Sequence, residues 1–298
     1  MSLRGSVSEL VVTYTADDER FYMWLEKTLQ KFNVKYDLNR FAWCDDFSKA
    51  RNYGLEKATG DWILVIDTDE VLEKPIKKLN GNLDWYLLNI DNGLQGNNWS
   101  PRLFKNHKGI NFKYKLHESI EWAVINLKGA KAVNNSLIHS GLTEATQEEL
   151  EARWQRNIRI LESDTDNPYR NFHFANLYAC KKDHIKALNY AQNALNDEMN
   201  PESKATLCNL IFDQYCALNM YHTGIEFLKM SLEYIPMQVR ARKHLINYLY
   251  QEKKKDLLLE ELYKVGSLSE HKQSDLPNDE FFDLQILTEK IKEVEKWQ

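Results

Sequence analysis

The stretch DWILVIDTDEVL, residues 61–72, decides how the first half of this chain is interpreted. Residues 62–66 are apolar and predict a buried strand, which runs directly into the carboxylates Asp67, Asp69 and Glu70. An isolated buried carboxylate is strongly disfavoured, so acids at the end of such a strand need a positive partner. The stretch therefore predicts a functional site at the end of this strand.

The segments before this strand alternate between extended chain and helix. The pattern predicts strands over 9–14 and 34–43, and helices with apolar residues at helical spacing over 17–32 and 45–58. Strand, helix, strand, helix, strand is typical of a parallel sheet covered by helices. Further strands are expected over 84–91 and, as short pieces, up to residue 141. We therefore expect an α/β domain over residues 1–142.

Long amphipathic helices dominate from residue 143 onward, so we expect an all-α domain over 143–298. Two sets of residues, mostly small, align there at an offset of 37: Ala175, Ala187, Ala191 and Ala194 in the first, Phe212, Gly224, Leu228 and Ser231 in the second. This spacing resembles the tetratricopeptide repeat, a helix-turn-helix module of about 34 residues. A third helix pair over 239–266 and a capping helix over 278–298 would complete the stack. The alternative is a generic helical bundle.

The carboxylates suggest a metal site. Alternation along an extended segment puts Asp67 and Asp69 on one side, and a strand of an open parallel sheet delivers its last residues to the crevice where ligands bind. Two carboxylates suit Mg²⁺ or Mn²⁺ that keeps water and diphosphate oxygens as further ligands. The D-x-D triplet alone also fits a strand that fades into a solvated turn.

The longer stretch WCDDFSKARNYGLEKATGDWILVIDTDEVL, residues 43–72, resembles the family 2 glycosyltransferases of the GT-A fold. It is most similar to the bacterial subgroup in which that domain is fused to tetratricopeptide repeats. The shared elements are Trp, acids, Phe-Ser, Ala-Arg-Asn, Gly-Asp-Trp-Ile and an aspartate-rich strand end, and the resemblance continues more loosely over 101–119 and 138–141. It implies a Rossmann-like nucleotide-sugar domain, shortened at its N-terminus, followed by a TPR-like helical domain.

The resemblance also implies an activity and a set of ligands. It implies transfer of a sugar from a nucleotide-sugar, a UDP-sugar in particular, to a hydroxyl group with inversion. Asp67 and Asp69 would face Mn²⁺ or Mg²⁺ and the donor diphosphate, with His139 as a third metal ligand. Arg51 and Asn52 would lie beneath the nucleotide. The alternatives are a surface ion pair for Arg51 with Asp45 or Asp46, and an ordinary core position for His139.

Further site residues are expected in the second part of the α/β domain. The resemblance places His117 and Glu118 beside the donor sugar, where Glu118 would act as the catalytic base. Glu70 is the second candidate for the base, and Glu118 would then orient His117 or pair with Lys115. Trp99 is in a polar loop, so it is the tryptophan that we expect to contact a ligand.

The sequence departs from the family before residue 43. Only one strand-helix unit fits into residues 9–42 where the family has two, and neither the Lys-Asn-Glu nor the Asp-Gly-Ser signature is intact. This leaves open whether Asp17 or Asp37 contacts the nucleotide. A catalytically silent scaffold that binds a protein through its helical repeats is therefore an alternative. A metal-dependent phosphate-ester hydrolase would need a further His and Asp cluster that the sequence does not show.

Composition limits the partners. The net charge of -5 gives little support for nucleic-acid binding, and no apolar run approaches the roughly 18 residues of a membrane span. The four cysteines show no metal-type spacing, and no signal peptide is evident, so a reduced, cytoplasmic protein is expected. The acceptor would be a glycan, a lipid-linked sugar or a protein, and the helical domain would bind a partner or a second copy.

Overall fold

The computed structural model describes residues 3, 5–32, 34–76, 79, 81–91, 97–139, 146–271 and 283–297. The chain divides into two compact units, Met1–Asp166 and Asn167–Gln298. The elements of the first unit are, in order, β1 (Glu9–Tyr14), α1 (Glu19–Leu29), β2 (Lys35–Arg40), α2 (Phe47–Lys57), β3 (Trp62–Leu64), β4 (Glu70–Leu72), β5 (Trp85–Asp91), β6 (Asn97–Lys105), α3 (Glu121–Val124), β7 (Gly129–His139) and α4 (Gln147–Ser163).

The first two strands form a small parallel pair. β1 and β2 run in register from Glu9 opposite Lys35 to Tyr14 opposite Arg40, and α1 connects them. Helix α2 packs on β1 so closely that a Cβ at Gly54 would lie 2.8 Å from Oγ1 of Thr13. The predicted alternation of strands and helices is confirmed over this part of the chain.

The larger sheet is mixed, whereas the strand-helix alternation of the first segments is typical of a parallel sheet. Its strand order is β3-β6-β5-β7-β4. β5 and β7 are parallel, whereas β6 runs antiparallel to β3 and β5, and β4 runs antiparallel to β7. Its core consists of aliphatic side chains that are at most 5% exposed: Leu72, Leu88, Ile90, Leu103 and Leu137. Strand β6, which lies between β3 and β5, carries its residues 100–102 to the site described below.

Strand β3 ends at Leu64, before the carboxylates. The backbone N–H of Glu70 donates to the carbonyl oxygen of Asp67 at 3.0 Å, so residues 67–70 form a turn. The prediction that Asp67 and Asp69 alternate along an extended segment is therefore wrong. The side chain of Glu70 helps to end the β3 segment. The N–H of Asp67 donates to Oε2 of Glu70 at 2.8 Å rather than to a neighbouring strand.

Helix α4 belongs to the first unit, so the division lies later than the predicted 142/143 boundary. Arg159 on α4 pairs with Asp45, just before α2, at 2.7 Å. Beyond the end of α4, Oδ2 of Asp164 accepts from the N–H of Lys115 at 3.0 Å. These contacts attach the first predicted helix of the all-α half to the α/β unit.

The second unit is helical in the part that the structure describes. Its helices are α5 (Arg170–Cys180), α6 (His184–Ala194), α7 (Pro201–Ala217), α8 (Tyr221–Tyr234), α9 (Val239–Gln251), α10 (Lys255–Glu270) and α11 (Leu284–Glu295). The small residues of the predicted repeat lie at close helix contacts: Ala175, Ala187, Ala191, Ala194 and Ser231 have no exposed area. A Cβ at Gly224 would lie 3.0 Å from the ring of Phe212.

The turns within the helix pairs repeat as well. Lys182, Asn219 and Lys253 each follow the first helix of a pair and have φ values of 59°, 59° and 52°. In each turn the next N–H donates to the carbonyl oxygen five residues back, as in a Schellman motif, at 3.0, 2.8 and 2.9 Å. The same left-handed turn three times supports the helical-repeat interpretation. No helix among the described residues is long and apolar enough to cross a membrane.

Candidate functional site

A cavity of about 580 Å³ opens in the first unit. This volume lies within the roughly 300–1,000 Å³ typical of ligand sites. Its charged wall consists of Arg51, Asp67, Asp69, Arg102, Glu118 and Glu121, and its remaining wall is mostly apolar, with Phe47, Pro101, Phe112, Leu116 and Ile120. His117, Ser100 and Ser119 complete the lining. The sequence-predicted residues Arg51, Asp67, Asp69, His117 and Glu118 thus meet at one place.

Asp67 is held between two arginines. Nη2 of Arg51, on α2, donates to Oδ1 of Asp67 at 2.8 Å, and Nη2 of Arg102, on β6, donates to Oδ2 at 3.0 Å. Burial raises the pKa of Asp67, but the charges of Arg51 and then Arg102 outweigh it, so that the pKa lies below its ordinary value. Asp67 is therefore a carboxylate, and the positive partner that the sequence required at this strand end is a guanidinium pair.

Glu70 completes the turn rather than facing the cavity. It is 7% exposed, its Oε2 accepts from the N–H of Asp67, and its Oε1 accepts from Nη2 of Arg102 at 2.9 Å. Burial raises the pKa of Glu70 above its ordinary value although Arg102 opposes this. With both oxygens engaged and little exposed area, Glu70 is poorly placed to take a proton from a substrate, which favours Glu118 among the two predicted candidates.

Glu118 and His117 lie on a short loop at the cavity. Lys113 and Ser119 form a two-bond antiparallel bridge that closes the loop, with distances of 3.0 and 3.1 Å. Within it, Tyr114 and His117 have left-handed φ values of 72° and 56°. Such backbone strain in residues other than glycine is concentrated at functional sites. Nε of Arg51 contacts Oε1 of Glu118, so the loop is tied to α2.

Burial and charge set the protonation of the remaining groups. Burial lowers the pKa of His117, which stays neutral near pH 7, although the charge of Glu118 opposes this shift. Burial also disfavours the charged form of Arg51, but Glu118 and Asp67 outweigh it and raise its pKa. The cavity therefore holds fixed charges of both signs next to a neutral imidazole.

The surface ion pair that was the alternative for Arg51 is wrong. Asp45 pairs with Arg159, and Asp46 caps α2, where its Oδ1 accepts from the N–H of Lys49 at 2.9 Å. Arg51 instead points to Asp67 and Glu118. The local cause is the capped start of α2, which fixes the helix phase and directs Arg51 to the cavity.

Asn52 is adjacent to the cavity but does not line it. Its amide Nδ2 donates to the carbonyl oxygen of Phe112 at 2.9 Å, and its Oδ1 accepts from the N–H of Phe112 at 2.7 Å. Asn52 therefore fixes the backbone that presents the ring of Phe112 to the cavity. This placement gives the Asn of Ala-Arg-Asn a supporting contact, and its predicted contact to the nucleotide stays a prediction.

Two other predicted residues lie differently. Trp99 is on β6, is 42% exposed and does not line the cavity, and Nζ of Lys131 lies 4.9 Å from the centroid of its ring. The backbone of His139 pairs with Glu70 through β4 and β7, which brings the two strand ends together. The side chain of His139 lies outside the described part of the structure, so its role as a metal ligand stays a prediction.

The residues of the cavity fit a hard divalent cation only if water and substrate phosphates supply most of its ligands. Within the described ranges, no group of three or more His, Cys, Asp or Glu side chains is arranged to hold a metal. Mg²⁺ commonly uses one or two carboxylates and takes its other ligands from water and substrate phosphates. Asp69 and Asp67 on the cavity wall satisfy this requirement, although both oxygens of Asp67 already accept from arginines.

Sequence reasoning did not single out Arg102. The residue lies in the segment PRLFKN, which carried only the looser part of the resemblance. Phe47 and Phe112 were also not predicted as cavity walls. The signal that was available is charge balance, because three carboxylates within residues 67–70 need more than one cation nearby.

The comparisons with known proteins find one family model that matches part of the chain and two curated relatives. Residues 33–88 match the model for glycosyl transferase family 2. The SPbeta prophage-derived glycosyltransferase SunS of Bacillus subtilis is 25% identical over 247 residues, which cover 74% of this chain and 57% of the relative. A TPR repeat-containing protein of Synechococcus elongatus is 31% identical over 136 residues, 43% of this chain and 32% of the relative. The chain thus spans about a third to somewhat over half of these curated relatives.

Two solved structures show weak similarity. YrrB, described as a TPR protein with an unusual peptide-binding site, has a TM-score of 0.34 at 20% identity and covers 40% of this chain and 60% of its own. Residues 1–349 of TarS from S. aureus have a TM-score of 0.33 at 11% identity, covering 95% and 92%. The family match and the named relatives confirm the resemblance predicted from residues 43–72, a family 2 glycosyltransferase segment followed by TPR-like helices.

Proposed function

We propose that this chain, which combines a family 2 glycosyltransferase segment with TPR-like helical repeats, transfers a sugar from a nucleotide-sugar to a hydroxyl group. One observation carries the proposal. Arg51, Asp67, Asp69, His117 and Glu118 come from separate stretches of the chain, and all line one cavity. The family match covers only the first three of these residues, so the convergence of the other two is an independent support.

The donor is a nucleotide-sugar, with a UDP-sugar as the first candidate. The guanidinium of Arg51 is suited to bidentate contact with phosphate, and the rings of Phe47 and Phe112 offer apolar faces against which a sugar or a base can stack. For the nucleotide, Asp17 lies in the loop after β1, at the carboxyl end of the parallel pair, where ligands of open sheets bind. Asp37 lies in the middle of β2, opposite Val11, which makes Asp17 the better candidate.

A divalent cation, Mn²⁺ or Mg²⁺, belongs to the proposal. Asp69 would hold it, with Asp67 beside it and diphosphate oxygens completing the shell; His139 is retained as a further candidate ligand. When bound, such an ion neutralises the charge that develops on a departing diphosphate. Arg51 and Arg102 keep Asp67 ionised and in place for this purpose.

Glu118 is the proposed base. Its carboxylate takes the proton of the acceptor hydroxyl as that oxygen bonds to the anomeric carbon, and the bond from this carbon to the diphosphate breaks with its electron pair on the leaving group. A single displacement of this kind inverts the anomeric configuration. Oε1 of Glu118 contacts Arg51, so Oε2 is the oxygen that would receive the proton. Neutral His117 lines the same cavity and would donate to or accept from a sugar hydroxyl.

The acceptor is a glycan, a lipid-linked sugar or a protein side chain. The helical unit would present that acceptor, bind a protein partner or form a homodimer, as stacked helical repeats present extended surfaces for binding. The competing function is a catalytically silent scaffold. It is favoured by the contacts of Arg51, which joins Asp67 and Glu118 in ion pairs that need no ligand.

A thermal-shift titration tests the proposal against this alternative. UDP, GDP, CDP and dTDP would be added with MnCl₂, with MgCl₂ or with EDTA. A ligand at about 100 times its dissociation constant stabilises a protein by roughly 2.7 kcal/mol. We expect a metal-dependent shift with one nucleotide, UDP first. The absence of any shift with all four nucleotides would favour the scaffold.

A further inference from the structure

We propose that Arg102 is a positioning residue that locks the acidic turn of residues 67–70 into the shape in which Asp67 and Asp69 face the cavity. This inference rests on the proposed function for its consequences, but its structural part can be tested without it. Arg102 lies on β6, so it reaches the turn from a different strand than the one that precedes it.

A single nitrogen of Arg102 makes both contacts. Nη2 donates to Oδ2 of Asp67 at 3.0 Å and to Oε1 of Glu70 at 2.9 Å. These two residues are the first and last of the turn. Their backbones are already linked by the bond from the N–H of Glu70 to the carbonyl oxygen of Asp67. Arg102 therefore closes the same loop from the side-chain end.

The turn would not hold this shape without a cation. Asp67, Asp69 and Glu70 place three carboxylates within four positions, and Glu70 is buried. Of the three acids in the turn, Arg51 pairs with Asp67, and its second partner, Glu118, lies outside the turn. If Arg102 were removed, repulsion between Asp67 and Glu70 would have no opposing charge between them, and Glu70 would turn toward solvent.

The burial of Arg102 agrees with a positioning role. Its side chain is 16% exposed, and its Nε is buried with no hydrogen-bond partner among the described residues. A buried donor without a partner is destabilising. The position of this side chain is therefore determined by the hydrogen bonds that Nη2 donates to Asp67 and Glu70. Arg102 also lines the cavity, next to Pro101 and Ser100.

Three variants separate this role from a general loss of stability. Arg102→Met removes the charge with little change of volume, and Arg102→Lys keeps one nitrogen, which is all that the two contacts use. Lys105→Met is the matched control on the same strand, because Nζ of Lys105 pairs with Asp84 at 3.3 Å, away from the cavity. Hydrogen exchange of the peptide covering residues 65–72 and titration calorimetry with UDP and MnCl₂ would be measured on each full-length variant.

We expect Arg102→Met to accelerate exchange of this peptide by about tenfold or more and to weaken binding of UDP with Mn²⁺ by a similar factor. Arg102→Lys should recover most of both losses, and Lys105→Met should match the wild type in both. Unchanged exchange in Arg102→Met would overturn the inference, and so would faster exchange with unchanged UDP affinity. A wild-type protein that binds no nucleotide would defeat the proposed function instead, and the exchange result would still decide the role of Arg102 in the turn.

Discussion

Nη2 of Arg51 donates a hydrogen bond to Oδ1 of Asp67 at 2.8 Å, although the two residues belong to different sequence motifs. Arg51 lies in Ala-Arg-Asn on α2, and Asp67 begins the Asp-Thr-Asp turn after β3. The other end of the same guanidinium contacts Glu118. Arg51 thereby joins the proposed donor-binding acid to the proposed base, and predictions about either acid must consider both.

Replacing Asp69 by alanine should weaken metal-dependent binding of the nucleotide. We expect the dissociation constant for UDP in the presence of Mn²⁺ to rise by about tenfold or more, which corresponds to about 1.4 kcal/mol. Titration calorimetry would measure it. The matched control is Asp61→Ala, an exposed aspartate just before β3 that does not line the cavity. Wild-type affinity in Asp69→Ala would refute the assignment of Asp69 to the metal.

Replacing Glu118 by glutamine should slow turnover and preserve donor binding. Loss of a general base typically costs about 10²–10⁴-fold in rate. The assay would follow release of UDP from a UDP-sugar together with the Kd for UDP. Glu26→Gln, an exposed position on α1, is the control. Turnover equal to that of the wild type would exclude Glu118 as the base, and because Glu70 is buried and fully engaged, His117 would be examined next.

The turns of the helical unit give a stability prediction that is independent of the function. Lys182 has a left-handed φ of 59°, which costs a residue with a Cβ about 1–2 kcal/mol. Lys182→Gly should therefore raise the free energy of unfolding by about 1 kcal/mol. The neighbouring Lys181 has φ of −83°, so Lys181→Gly should lower it by up to about 1 kcal/mol. Equal effects of the two variants in urea denaturation would show that Lys182 does not adopt this left-handed conformation.

Glu9 gives a prediction about pH. Its carboxylate accepts from Nζ of Lys35 at 2.7 Å and from the N–H of Thr59 at 2.8 Å, and these bonds lower its pKa from 4.5 to about 2. A lowered pKa stabilises the folded state above pH 4.5, and this contribution is lost as the pH falls toward 2. Glu9→Gln should therefore be less stable than the wild type at neutral pH, with a difference that shrinks over this range. The exposed Glu56→Gln serves as control, and a difference that stays constant with pH would contradict the assignment.

Much of the fold was predictable because local patterns carry it. The periodicity of apolar residues located β1, α1, β2, α2 and most helices of the second unit, and the small residues at an offset of 37 identified the close helix contacts. The mixed direction of the larger sheet was not predictable in this way. Strand direction depends on which strands pair, and β6 pairs with the distant β3 as well as with β5, its neighbour in sequence.

The sequence located several residues of the candidate site, but the backbone geometry expected for them was wrong. Asp67 and Asp69 do line one cavity, but a turn brings them there and not the alternation of a strand. The turn depends on Glu70 and Arg102, and a contact between β6 and β4 residues is not visible in a local pattern. The resemblance to a family predicted Arg51 and Glu118 as site residues, because a family motif reflects contacts of the whole fold and not only local sequence.

An anomalous difference map from crystals soaked with MnCl₂ and UDP would show whether the acidic turn binds a metal ion against the donor diphosphate. We expect a manganese peak within coordination distance of a carboxylate oxygen of Asp69, with the diphosphate between the ion and Arg51. A nucleotide bound elsewhere, or a cavity without manganese in which Arg51 still joins Asp67 and Glu118, would contradict it.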